Sequence, residues 1–298
     1  MKPQEPEILA FQARCDNFYP PDAVNASIDR QRQWYDALCA EFSPPLPADI
    51  KTEDLTIAGV STRRYLPAHI RVDTVLAYFH GGGFVLGSLD SHDAICAEIV
   101  SATGAELVAT DYRLAPEHRW PAQSDDCYAV LQSLLNEERR IVLVGDSAGG
   151  TLAAGLALRA RKDGLHGAIA GQVLVYPSLG GDIASGSYVE MAEAPGLTTA
   201  DVVYYRDILG APEDDVVAHP LLADDLSGLP AAYITAAHFD PLRDDARNYA
   251  TRLAQAGVDV TFREEPQMVH AWLRARHMSP GAKAGFAALC EGIGKFIT

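Results

Sequence analysis

The segment Gly145-Asp146-Ser147-Ala148-Gly149 constrains the fold of this chain more than any other, because it joins the apolar run Ile141-Val142-Leu143-Val144 to the helix-like stretch Thr151-Leu152-Ala153-Ala154-Gly155-Leu156-Ala157-Leu158. The reading is a strand, a sharp turn and a helix. A serine at such a turn needs a tight, partly strained backbone, and glycines two residues before and two after let neighbouring chain approach without a Cβ clash. Its hydroxyl then stands at the helix N-terminus, free to attack. The bare pattern is weak, since G-x-S-x-G arises by chance in about one chain in ten of this length. Its place between strand and helix gives it weight.

A second motif supplies what an attacking serine requires. His80-Gly81-Gly82-Gly83-Phe84 follows Val75-Leu76-Ala77-Tyr78-Phe79, another apolar run ending in a turn. Three consecutive glycines can turn amide N–H groups toward one point, which suits an oxyanion that forms only in a tetrahedral transition state. Gly82 and Gly83 are assigned to that role, joined by the N–H of Ala148. The plain alternatives are a flexible loop or a phosphate cradle, but no G-K-[ST] follows and the G-x-G-x-x-G spacing is absent.

Serine is a poor nucleophile until a base takes its proton, and the base needs an orienting acid. Asp240 follows the strand-like Ala231–Ala236 run, and His270 follows Val258-Asp259-Val260-Thr261-Phe262. The order Ser147, Asp240, His270 is a known serine-acid-histidine chain order. Asp240 directly before Pro241 would also make a helix N-cap with proline at N1, and the two roles are compatible. Asp244 and Asp245, a turn further on, read as first-turn charge favouring the helix dipole. Among nine histidines, His270 is singled out by standing just past the last strand. His92 and His118 lie near the glycine loop and the next strand, where either would hydrogen-bond within a site floor.

Taken together, His80-Gly81-Gly82-Gly83-Phe84, Asp111-Tyr112-Arg113-Leu114-Ala115-Pro116-Glu117, Gly145-Asp146-Ser147-Ala148-Gly149-Gly150, Asp240-Pro241-Leu242 and His270 resemble the hormone-sensitive-lipase family of α/β-hydrolases. The stretch from Phe84 to Asp93 is similar to its bacterial acetyl esterase branch. The resemblance runs from about residue 52 to the C-terminus. It implies a carboxylic ester hydrolase with Ser147 as nucleophile, His270 as base, Asp240 as acid and the glycine loop as oxyanion hole. One departure is Ala271-Trp272 after the histidine, where many relatives carry Gly-Phe; it is expected to reshape the alcohol side of the pocket.

The 298 residues, 48% of them hydrophobic, suffice for one large core. Strands are expected at about 53–58, 60–66, 74–80, 106–112, 140–145, 172–176, 231–237 and 258–264, alternating with helices from the third onward. That pattern predicts a single α/β domain over 1–298 with a mostly parallel eight-stranded sheet and helices on both faces. Two segments fall outside it. Residues 1–48 hold a helix-like stretch from Asp29 to Phe42 between proline stops, and residues 181–218 hold Thr198-Thr199-Ala200-Asp201 as a capping box before Val202, Tyr205 and Leu209 at helical spacing. Surface decoration would explain both, but the resemblance implies a cap built from these two places, with Phe84, Trp34, Tyr188 and Tyr205 as pocket residues.

Twenty-four basic and forty acidic residues give a net charge of −16, which disfavours nucleic acid and stable membrane association. The five cysteines show no C-x-x-C spacing, so neither a metal site nor a disulfide frame is indicated, and no cofactor is called for. The first residues show no charged-then-apolar leader, so a reduced cytoplasm is expected. The expected partner is a small-molecule ester of short acyl chain; a homodimer is left open. Two other readings stand beside the esterase: a non-catalytic binder of small molecules or proteins on the same fold, as in plant gibberellin receptors, and a serine hydrolase of lactones, peptides or longer-chain lipids.

Overall fold

A computed structural model describes residues 2–20, 22–70 and 72–297. Its sheet is formed by β1 (Ile50–Ile57), β2 (Val60–Pro67), β3 (Thr74–Phe79), β4 (Glu106–Thr110), β5 (Arg140–Asp146), β6 (Ile169–Val175), β7 (Ala232–Phe239) and β8 (Val260–Val269). The spatial order is β1-β2-β4-β3-β5-β6-β7-β8. Only the pairs made by β2, with β1 and with β4, are antiparallel. The expected α/β-hydrolase architecture, a mostly parallel eight-stranded sheet, is thus the observed one.

Strands buried on both faces read as continuous apolar runs, and β3 is one: Val75, Ala77 and Phe79 join the core on one side while Leu76 and Tyr78 join the core on the other. The first core is closed by α4 (Ala122–Leu135), α5 (Ala148–Lys162) and α8 (Arg243–Gln255), the second by α3 (Asp93–Thr103) and α9 (Pro280–Gly294). On α8 the residues Ala246, Tyr249, Ala250 and Leu253 are buried, the i, i+3, i+4, i+7 stripe of a helix lying on a sheet. The chain leaves β3 for β4 on one side and comes back to β5 on the other. In open parallel sheets, ligands bind beyond the carboxyl ends of the strands where the order reverses in this way.

The last strand is longer than expected, running past 264 to Val269. Pro266 lies within it, and β8 is an edge strand, where a missing N–H costs nothing when it faces away from the ladder.

The two segments outside the alternation supply helices at the carboxyl end of the sheet. The first holds α2 (Ile28–Glu41), close to the expected span, with the Ser27 side chain accepting from the Arg30 amide. It also holds α1 (Pro6–Asp16), which the sequence reading did not separate. Only Ile8, Phe11 and Gln12 of that helix are buried, too sparse a pattern to stand out. The second holds the one-turn α6 (Ser187–Glu190) and α7 (Thr199–Leu209), and the Thr198–Asp201 capping box forms in full. Arg32 rivets α2 to the body: its Nε donates to the Val85 carbonyl at 2.9 Å, and one terminal nitrogen donates to the Ala115 carbonyl at 3.0 Å.

Asp245 departs from its expected role as solvated first-turn charge. It is 1% exposed and accepts from the Leu179 amide at 2.6 Å, the Gly181 amide at 3.3 Å and the Tyr188 hydroxyl at 3.1 Å. It therefore ties α8 to the start of the 181–218 segment. Asp244 lies beside it and accepts from the Ser187 amide at 2.8 Å.

Burial pushes the Asp245 carboxyl up to about 6, against the opposing pull of its donors and of Arg206. Since the unfolded value is about 4, the folded protein holds a proton between about pH 4 and 6 that the unfolded chain has released. This contribution to stability is fully present below about pH 4 and is lost as pH rises through 6. Asp245→Asn keeps an acceptor oxygen without the charge. In urea melts, its stability relative to wild type should rise by about 2 kcal/mol between pH 4 and pH 7.5; a flat difference would mean that the donors offset the burial.

Candidate active site

Ser147 stands between the end of β5 and the first residue of α5, with φ 54° and ψ −117°. A non-glycine residue in that region stores roughly 1–3 kcal/mol of strain and persists only where its surroundings over-determine it. Here the Ser147 amide donates to the Val175 carbonyl at 2.9 Å, and its carbonyl accepts from the Thr151 amide at 3.1 Å. The motif glycines are sterically required. A Cβ on Gly149 would lie 1.9 Å from the Phe79 carbonyl oxygen, at the end of β3 where the glycine loop begins.

The structure brings Ser147, His270 and Asp240 together. The Ser147 Oγ is 2.9 Å from His270 Nε2, and His270 Nδ1 is 2.7 Å from Asp240 Oδ2. Each follows directly on a parallel strand: β5, β8 and β7 respectively. Asp240 is fully buried, and its second oxygen accepts from the Leu242 amide at 2.9 Å. The helix itself begins only at Arg243, so Pro241 is not its first residue and the carboxylate caps a turn before the helix instead of the helix proper. The imidazole of His270 packs on the Tyr176 ring, 4.9 Å between centroids.

Gly82, Gly83 and Ala148 line the same cavity as Ser147. Gly83 takes φ +62°, and a Cβ there would lie 2.6 Å from the Tyr205 ring, so α7 sits directly against the glycine loop. Amide N–H groups held in this way are suited to a negative charge on an oxygen bonded to a carbon that Ser147 has attacked.

Asp146, which the sequence reading passed over, is the residue that joins the two turns. It is 2% exposed, and its Oδ1 accepts from the Gly81 amide at 3.0 Å and the Tyr78 hydroxyl at 2.8 Å. The Nε2 of His92 lies 3.4 Å from its Oδ2, a close contact without hydrogen-bond alignment. Burial works to raise this carboxyl, but His92, Arg274 and the Tyr78 hydroxyl outweigh it and hold it well below the usual carboxylate range. His92 thus belongs to the site floor, as expected, whereas His118 is exposed. Burial, with His92 close by, pushes His80 down to about 3, so its ring is neutral where it stacks on Tyr112 at 4.3 Å. The only sequence-level signal for Asp146 is a charged residue closing an otherwise apolar strand.

A cavity of about 430 Å³ opens beside Ser147, in the size range of small-molecule sites. Of the four residues named for the pocket, Phe84 and Tyr205 line this cavity, together with Phe11, Tyr19, Tyr35 and Leu38. Trp34 and Tyr188 do not. Trp34 packs edge-on against Tyr19, 6.4 Å between centroids, and Tyr188 is turned into the body against Asp245. Trp34 lies on the helix expected for it and Tyr188 on the short α6, which the sequence does not announce; both side chains are turned off the cavity wall. Trp272 is likewise fully buried in the core and absent from the wall; its neighbour Ala271 lines the cavity with φ 60°, a left-handed conformation that would suit glycine better.

A family model described as alpha/beta hydrolase fold matches residues 76–274. The chain belongs to the α/β-hydrolase family. Carboxylesterase NlhH of Mycobacterium tuberculosis is 35% identical, over 91% of this chain and 90% of its own. The arylesterase of Saccharolobus solfataricus is 31% identical, over 98% of this chain and all of its own. An esterase from the bacterial hormone-sensitive lipase family superposes with a TM-score of 0.90 at 30% identity, covering 99% of each chain. These likenesses put the chain in the hormone-sensitive-lipase branch that the motifs indicated. Among the described residues, no helix is long and apolar enough to cross a membrane, and no group of three or more metal-ligating side chains could hold a metal ion.

Gly149 is pressed on the end of β3, so there is no room for a Cβ between the two turns. Gly149→Ala should cost about 1–3 kcal/mol or more and displace the glycine loop from Ser147. Thermal melts together with turnover of a chromogenic ester would check this; native stability and rate would show that the approach of the two backbones is not needed.

Proposed function

We propose that this protein hydrolyses short-chain carboxylic esters through an acyl-enzyme intermediate. The observation that carries the proposal is the unbroken line of contacts from Ser147 Oγ through His270 to Asp240, at 2.9 and 2.7 Å. The relatives described above, named carboxylesterase, arylesterase and esterase, support the same reaction class.

In this mechanism, Ser147 Oγ adds to the ester carbonyl as His270 Nε2 takes its proton. The oxygen, now negative, faces the amides of Gly82, Gly83 and Ala148. Asp240 keeps Nδ1 protonated, orients the ring and stabilises the imidazolium. Collapse of the tetrahedral centre breaks the bond to the alcohol oxygen, which leaves with the proton from His270. Water then adds to the acyl-serine with His270 again as base, and the carboxylic acid departs with Ser147 restored. A non-catalytic binder would have no need of the strained backbone at Ser147 or of an aligned base.

Ser147→Ala should lower ester turnover by about 10³-fold or more with the fold intact, since triad deletions have costs of that order. Asp240→Asn keeps an oxygen for the Leu242 amide but not the charge that stabilises an imidazolium, so it should retain near-native thermal stability and lose most activity. Retention of a tenth of the wild-type rate by either variant, in material free of other esterases, would overturn the assignment.

Substrate size follows from the finite cavity. Each methylene adds about 0.8 kcal/mol only while room remains, and overfilling then costs more than burial returns. Against 4-nitrophenyl esters from acetate to palmitate, activity should peak at roughly two to six acyl carbons and drop steeply beyond about eight. A preference for palmitate over butyrate at matched solubility would favour the lipid-hydrolase reading.

A further inference from the structure

The wall beside Ser147 contains a cation that no carboxylate of the protein neutralises at contact distance. Arg274 lies four residues after His270, on the turn Trp272–His277, and is 7% exposed. The other buried arginines among the described residues are paired: Arg276 with Glu98 and Arg243 with Glu190, each at 2.6 Å. Arg274 has no such partner among the described residues. One terminal nitrogen donates to the Tyr35 hydroxyl at 2.5 Å, the guanidinium carbon stands 5.0 Å from the Tyr35 ring centroid, and Nε is buried with no hydrogen-bond partner. Gln12, also on the wall, leaves its Oε1 equally unmatched.

The other charged groups on this wall are engaged or peripheral. Asp146 is taken up by Gly81, Tyr78 and His92; Asp201 serves the capping box; Asp16 is exposed at the rim. Arg206 donates to the Tyr188 hydroxyl at 2.9 Å and the Gly181 carbonyl at 3.4 Å. Arg274 is thus a desolvated guanidinium, oriented by Tyr35, in the wall of the reaction cavity. A purely aliphatic acyl chain would leave it unpaired.

We infer that Arg274 is a specificity-determining residue that binds a carboxylate on the substrate, so that the preferred ester is an anionic one, such as a half-ester of a short dicarboxylic acid. This rests on the esterase reading above and names its substrate class. The planar fork of a guanidinium matches the two oxygens of a carboxylate, and such charge-assisted bonds are about twice as strong as neutral ones. The chemistry at Ser147 is unchanged: water is consumed, the C–O bond to the alcohol breaks, and the alcohol and a dicarboxylate leave. Although the overall charge of −16 opposes the approach of an anion, salt at physiological strength screens exposed charges beyond about 8 Å and screens a buried pair much less.

The test compares kcat/KM for monoethyl glutarate, ethyl pentanoate and the neutral keto ester ethyl levulinate, on wild type and Arg274→Gln, following ethanol release. The expected result is that the glutarate-to-pentanoate ratio falls at least tenfold in the variant, chiefly through KM, while the levulinate-to-pentanoate ratio falls much less. An unchanged glutarate ratio, with all three esters slowed together through kcat, would make Arg274 a prop for the site and overturn the inference. Equal falls for glutarate and levulinate would overturn the carboxylate assignment in favour of a neutral acceptor. Should the variant not fold, product inhibition of wild type decides: glutarate should inhibit at least tenfold more tightly than pentanoate, and equal inhibition overturns the inference. If wild type hydrolyses none of the three esters nor any 4-nitrophenyl ester, it is the esterase reading that fails.

Discussion

The site depends on two turns held against each other at the carboxyl ends of adjacent strands, and the buried Asp146 carboxylate is the group that holds them. It ends β5, one residue before Ser147, and reaches across to the amide of Gly81 at the end of β3. Gly149 brings the same two turns into backbone contact from the helix side. An ionised carboxylate in such a place is tolerable only when hydrogen-bonded and compensated. Its hydrogen bonds come from Tyr78, Gly81 and, at 3.4 Å, the Tyr176 hydroxyl, and its compensation from His92 and the more distant Arg274. The strain stored at Ser147 is over-determined by this arrangement, because moving the serine would disturb a buried charge.

The helices outside the sheet are tied to this centre, not merely laid over it. Tyr205 of α7 rests on Gly83, Arg32 of α2 holds the carbonyls of Val85 and Ala115, and Asp245 of α8 gathers the amides of Leu179 and Gly181 with the Tyr188 hydroxyl. Each tie sets a charged group or a ring against backbone, with the Tyr188 hydroxyl added at Asp245. The walls of the cavity are therefore positioned from the same body that positions Ser147, His270 and Asp240, and substrate shape is read against a fixed nucleophile.

The parts of this design that were legible in the sequence are those encoded locally. Apolar runs marked the buried strands β3 to β7, and glycine spacing marked the two turns, because a required close approach leaves its mark on the residue itself. Thr198 and Asp201 announced their helix for the same reason: a capping box lies within four residues. What could not be read depends on rotation and register between distant elements. Trp34 and Tyr205 looked equivalent as aromatic residues on cap helices, yet only Tyr205 faces the cavity. Asp245 looked like first-turn charge because nothing local reveals that Leu179 and Gly181 arrive above it. The helix α1, with its sparse buried residues, left too faint a periodicity to separate.

Arg274 shows the same limit from the other direction and ties the architecture to specificity. Its position four residues after His270 places it within the short turn that follows β8, so the strand that presents the base also presents the cation. Asp146, the brace of the nucleophile turn, is one of the charges that acts on it through space. A buried arginine and a buried aspartate that do not touch leave each other partly compensated: close enough to make both charges tolerable, too far apart to satisfy the guanidinium's hydrogen bonds. A carboxylate arriving with the substrate would complete what the fold leaves open, and would do so without drawing Asp146 away from Gly81. Recognition and catalysis are then separable in this site, because the group that orders the glycine loop is not the one that reads the substrate.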